Sequence, residues 1–184
     1  IAQAVRQWPR QWNRLTQSRQ NVLHHYGHDE NFFHYFLDPE LHYSCAYFAE
    51  PGISLEQAQR AKCRHIMNKL LLQPGQHVLD IGCGWGGLAC YLAEHAGVEV
   101  TGLTLADNQR QLATQRAHQR GLEKQLRFLL EDYRQHQGHY DRIVSVGMFE
   151  HVGLPNYRRY FETIKRHLAP DGVALLHTIG CFTV

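Results

Sequence analysis

No apolar run in this 184-residue chain approaches the roughly 18 residues that a membrane-crossing helix requires. The five cysteines are an odd count, with no Cys-x-x-Cys pair and no secretory signal, which points to a reducing cytoplasm rather than a disulfide framework. The formal net charge of +2 is too small to argue for a nucleic-acid partner. No repeat and no low-complexity segment is present. His24, His25 and His28 have helical i, i+4 spacing, but no carboxylate or cysteine completes a ligand set, so no metal site is expected. Acids are missing altogether before Asp29, whereas Arg6, Arg10, Arg14 and Arg19 are all there. The chain also lacks an initial Met and stops at Val184 just after an apolar run, so it reads as a piece of something longer.

What remains is 43% hydrophobic and 20% charged, long enough to bury one proper core. Pro9 suits a first helical position, and Trp12, Leu15, Val22 and Leu23 share a side, so residues 9–26 are expected to be helical. Its arginines, with Trp8 and Trp12, suit either an anionic phospholipid surface or a solvated face over a packed one. Aromatic density through Phe32-Phe33, Phe36 and Tyr43 to Phe48 suits a pocket wall or an aromatic minicore. Ser54 with Gln57 forms a capping box for a helix ending before Pro74-Gly75. From there strands are expected at 77–81, 98–103, 126–130, 141–146 and 173–179. The helices between them are expected at about 86–96, 107–120 and 156–168. Alternation of this kind builds right-handed βαβ units and a doubly wound α/β fold with a parallel sheet. The chain divides into a helical, lid-like segment (1–73) and an α/β core (74–184).

The stretch around which the rest is organised is Val78-Leu79-Asp80-Ile81-Gly82-Cys83-Gly84-Trp85-Gly86-Gly87. An apolar strand runs into a glycine turn and then a helix, the arrangement that lets a backbone approach a ligand at a helix N-terminus. Gly82-x-Gly84-x-x-Gly87 formally fits a dinucleotide loop, but that site also wants an acid at the end of the second strand. Thr104 stands there instead, and Asp80 two residues before the first glycine resembles the loop of S-adenosylmethionine (SAM) methyltransferases. Ligands of such sheets sit beyond the strand carboxyl ends. That rule selects Gly82 to Gly86, Thr104 to Gln109, Glu131-Asp132-Tyr133, Gly147 to His151 and His177 to Ile179. Asp132 could accept from an adenine amino group while Tyr133 covers the ring. Glu150, His151 and His177 reach one rim, a convergence that favours chemistry.

Several stretches together resemble the cyclopropane-fatty-acyl-phospholipid synthases and their mycolic-acid-modifying relatives. They are Phe32-Phe33…Leu37-Asp38-Pro39, Tyr43-Ser44-Cys45-Ala46-Tyr47-Phe48, the glycine loop, Asp141 to Val152 with Phe149-Glu150-His151, and Leu176-His177-Thr178-Ile179-Gly180. The resemblance implies a Rossmann-like class I SAM methyltransferase core, whose further strands lie beyond Val184. It implies methyl transfer to the cis double bond of an unsaturated phospholipid acyl chain, closed to a cyclopropane by proton loss to bound bicarbonate. Tyr43, Gly82, Gly84, Thr104, Gln109 and Tyr133 match positions that line the SAM pocket, with Ser44, Asp80, Gly86 and Asp132 expected beside them. Glu150 and His177 would hold the bicarbonate, with the Cys45 backbone contributing. A cytoplasmic enzyme attached peripherally to anionic membranes, and capable of self-association, is the corresponding expectation. Two features depart from the family pattern: Gly27-His28-Asp29-Glu30 after the first tyrosine, and Asp132-Tyr133 where the mycolate branch carries tryptophan. Other C- or N-methyltransferases, and a non-catalytic SAM- or lipid-binding module, remain alternatives.

Overall fold

The computed structural model describes residues 30–180. The expected helix over 9–26, its arginines and tryptophans, and the His24, His25 and His28 set lie outside the described residues. Five parallel strands form one sheet in the order β3-β2-β1-β4-β5. They are β1 (His77–Ile81), β2 (Glu99–Thr104), β3 (Leu126–Leu130), β4 (Tyr140–Val146) and β5 (Leu168–His177). The helices are α1 (Glu30–His34), α2 (Leu55–Lys69), α3 (Gly87–Ala96), α4 (Asp107–Gln119) and α5 (Tyr157–His167). Sheet growth reverses between β1 and β4, and a crevice opens at such a switch point.

Both faces of the sheet are covered, as the near-continuous apolar run of β1 requires. Val78, Val100, Phe128 and Val144 face Cys63, Ile66 and Leu70 of the α2 end, Leu88 and Leu92 of α3, and Ala113 and Ala117 of α4. Leu79, Ile81, Leu103 and Ile143 point the other way, against Tyr160 and Ile164 of α5. A third, smaller cluster of Phe33, Leu41 and Trp85 joins the α1 segment to the glycine loop, with the Phe33 and Trp85 rings 4.5 Å apart. Of the aromatic segment Phe33 alone is buried in that minicore; Phe32, Phe36, Tyr47 and Phe48 stay exposed, and Tyr43, also exposed, lies on the wall of the cavity described below.

Local signals hold where packing agrees with them. Ser54 Oγ accepts from the Gln57 N–H at 3.2 Å, and the Gln57 side chain accepts from the Ser54 N–H at 2.9 Å. The strand expected at 173–179 instead begins at Leu168 and ends at His177. Its pairing with β4 jumps from Tyr140↔Leu168 to Arg142↔Val173, so the stretch with Pro170 and Gly172 bulges out of register. Proline cannot donate to the ladder, and a Cβ on Gly172 would fall 2.6 Å from a Leu168 methyl. Between β4 and α5 two 3-10 turns, Phe149–His151 and Leu154–Asn156, replace simple loop. Among the described residues no helix is long and apolar enough to cross a membrane.

Candidate active site

The turn after β1 is held by backbone. The N–H groups of Gly82 and Cys83 both donate to the Leu103 carbonyl at 3.0 Å, tying the loop to the end of β2. Gly82, Gly84 and Gly86 all have left-handed φ, of +85°, +54° and +80°, a region that side chains other than glycine's occupy at a cost. Their surroundings differ. A Cβ on Gly82 would meet Met148 at 2.9 Å, and one on Gly86 would meet Ala113 at 2.8 Å and the Phe128 ring at 2.9 Å. One on Gly84 would meet nothing within 4 Å, because Gly84 opens onto a cavity of about 370 Å³.

That cavity lies beyond the strand carboxyl ends and gathers most of the residues singled out from sequence. Tyr43, Ser44, Asp80, Gly82, Gly84, Thr104, Gln109, Asp132, Tyr133 and Glu150 are all on its wall. Gly86, Cys45 and His177 are not: Gly86 packs behind the wall against α4 and β3, and Cys45 is exposed. Asp80 is 2% exposed, and no described residue donates to its Oδ2. Burial pushes its carboxyl up to about 7, since a charge away from water is disfavoured. Thr104 Oγ1 donates to Gln109 Oε1 at 2.7 Å and accepts from the Ala106 N–H at 3.2 Å, fixing the entry to α4. The Asp132 carboxylate is gripped by Arg134, whose Nε and Nη2 donate at 2.8 and 2.6 Å. Burial raises the neighbouring Tyr133 phenol to about 12, leaving a neutral ring on the wall.

At one corner three separate segments meet. Glu150 Oε1 accepts the Ile179 N–H at 2.7 Å. The Gly147 N–H donates to the His177 carbonyl at 3.0 Å, and a Cβ on Gly147 would touch Ser44 Cβ at 3.5 Å. The 43–45 segment, the turn after β4 and the end of β5 are therefore neighbours. His177 Nδ1 is buried there, with no described residue as hydrogen-bond partner.

Sequence reasoning missed a polar layer under this corner. On α2, Gln59 and Lys62 are buried with Ala58, Cys63 and Ile66. Gln59 Nε2 donates to the carbonyls of His42 and Ser44 at 3.2 and 3.0 Å, and Lys62 Nζ donates to Ser44 Oγ at 2.7 Å. His42 joins Asp38 at 2.9 Å on one ring nitrogen and Cys63 Sγ at 3.3 Å on the other. Burial alone would raise the Asp38 carboxyl; the bonds and charge of His42 outweigh that and leave it lowered. Burial also holds the Cys63 thiol at about 12, so the arrangement carries no reactive thiolate. The available signal was Gln59 and Lys62 lying at i, i+3 beside the apolar stripe.

Among the described residues no group of three or more His, Cys, Asp or Glu side chains is arranged so that it could hold a metal ion. The sheet order and the glycine loop at the switch point are those of the class I SAM-dependent methyltransferases. One such solved structure, coclaurine N-methyltransferase bound to N-methylheliamine and S-adenosylhomocysteine (SAH), superposes with a TM-score of 0.78 at 29% identity, covering 83% of this chain and 44% of that one. The profile of the mycolic acid cyclopropane synthetase family matches residues 13–184, and the chain belongs to that family. It is 50% identical over 156 residues to a cyclopropane-fatty-acyl-phospholipid synthase of Escherichia coli, covering 85% of this chain and 40% of that enzyme. It is 44% identical over 165 residues to cyclopropane mycolic acid synthase 3 of Mycobacterium tuberculosis, covering 90% and 58%. The mycolic acid cyclopropane synthase CmaA1, solved with SAH and CTAB, matches with a TM-score of 0.83 at 42% identity, covering 86% and 55%. The chain thus spans about half the length of the relatives it matches.

Proposed function

We propose that this chain is the SAM-binding core of an enzyme that converts the cis double bond of an unsaturated phospholipid acyl chain to a cyclopropane. The observation that supports it most is the cavity at the switch point, with Gly84 opening onto it and the Asp80 Oδ2 unpartnered inside. An orphaned buried acceptor fits the amino group of SAM, and a turn without Cβ at Gly84 leaves room for a nucleoside. Tyr133 offers a neutral ring to an adenine. Asp132 remains an acceptor for an amino group, although it shares its oxygens with Arg134.

When bound, SAM supplies an electrophilic methyl to the alkene, and loss of a proton from that methyl closes the ring. The chain's own contribution is to exclude water and to place the proton acceptor. Glu150 and His177 would hold a bicarbonate at the corner described above, and it would supply that proton acceptor. Bicarbonate has one O–H that a carboxylate can accept, and His177 Nδ1 is a buried nitrogen in want of a partner. Cys45 is a positioning residue through its backbone. The basic N-terminal residues attach the enzyme to anionic bilayers, each worth about 1 kcal/mol at such a surface. The test of the reading is calorimetric titration with SAH: binding in the micromolar range or tighter supports it, and preferential binding of NAD removes it. The likeness to an N-methyltransferase favours one other reading, methylation of an amine, and assay of lipid and amine acceptors side by side separates the two.

A further inference from the structure

The cavity wall carries one buried cation that the proposed chemistry does not use. Lys62 is 4% exposed, lines the cavity, and spends one N–H on Ser44 Oγ. No carboxylate among the described residues pairs with it. Asp38, whose charge reaches it, is already bound to His42. The cavity's guanidinium, Arg134, is by contrast neutralised by Asp132. An ammonium withdrawn from water without a counter-charge is costly, and its burial accordingly depresses the Lys62 pKa. On the same wall Asp80 is a buried acid with the opposite problem. The two have not paired with each other. A site with one unpaired cation and one unpaired acid on a shared wall matches a zwitterion.

We propose that Lys62 is a binding residue whose ammonium receives the α-carboxylate of an amino-acid group in the cavity, with Asp80 facing its amino group. Resting on the reading above, that group is the methionyl end of SAM or SAH. Ser44 then has two roles: it lines the cavity, and its hydroxyl aims the lysine. Gln59, one turn earlier on the same helix, fixes the Ser44 carbonyl, so α2 presents the ammonium from a rigid base.

The experiment compares two probes on the full-length protein by calorimetry: SAH, and 5′-methylthioadenosine, which keeps the nucleoside and sulfur but lacks the amino-acid group. Lys62→Gln retains a donor for Ser44 and removes the charge. A charged hydrogen bond is worth roughly 1.5–3 kcal/mol, so the variant is expected to bind SAH on the order of 10- to 100-fold more weakly. Its affinity for methylthioadenosine should be unchanged, and Lys62→Met should behave in the same way. Equal loss on both probes makes Lys62 a strut for the Tyr43-Ser44 segment and overturns the proposal, as does no loss on either. Failure of the wild-type protein to bind either nucleoside removes the cofactor reading, and this proposal with it.

Discussion

The Glu150 carboxylate accepts the backbone N–H of Ile179 at 2.7 Å. Together with the bond from the Gly147 N–H to the His177 carbonyl, this contact ties the turn after β4 to the chain leaving β5. The Ile179 bond orients a carboxylate that also lines the cavity.

Glu150→Gln keeps an oxygen for Ile179 and removes the charge. In the full-length enzyme we expect turnover to fall on the order of 100-fold, the cost of one preorganised contact to a reacting group, while SAH affinity is unchanged. A group that acts on the transition state alone behaves in this way. Normal turnover with bicarbonate supplied would take Glu150 out of the chemistry.

Asp80 makes stability depend on pH. Its folded carboxyl titrates near 7, against 3.8 for the ordinary group. A raised carboxyl pKa contributes stability that is fully present below about 3.8 and is lost as pH rises through about 7. Asp80→Asn should therefore melt higher than the wild-type apoprotein at pH 8, the difference shrinking steadily toward pH 4. Thermal melts across that range check it, and a difference that does not vary with pH contradicts the assigned burial effect.

The glycines of the loop should separate by phenotype. Gly86→Val drives a side chain into Ala113 and Phe128, and overpacking of this kind costs about 1–3 kcal/mol in addition to backbone strain. Gly84→Val has room to fold, apart from strain at φ +54°, but fills space on the cavity wall. We expect the first variant to lose more melting temperature and the second to lose more SAH affinity. The reverse order would mean that Gly84, not Gly86, is the packing residue.

Much of this was legible because local and global signals coincide. β1 and β3 lie where the apolar runs place them, bounded by Gly82 and by Glu131, and the Ser54–Gln57 box starts α2 as its spacing implies. The beginning of β5 was not legible, since Pro170-Asp171-Gly172 reads locally as a turn and only pairing with β4 draws Leu168 into the sheet. Lys62 and Gln59 were missed for a related reason, their i, i+3 spacing beside the apolar stripe being too weak a signal alone. On a helix, polar residues read as solvent-facing until something is known to lie over them, and what covers them here is the 42–44 segment, distant in sequence. His42 shows the same limit: Asp38 is a local partner four residues away, but Cys63 reaches its ring only through the fold.

The most direct test of the central claim is to incubate the full-length protein with SAM and vesicles of a cis-unsaturated phospholipid, then examine the recovered lipid by mass spectrometry and proton NMR. The account predicts a mass gain of one CH₂ per modified chain, loss of the vinylic protons and appearance of cyclopropane ring protons. A methylated chain that retains its double bond, a methylated headgroup amine, or lipid unchanged while SAM is bound would contradict it.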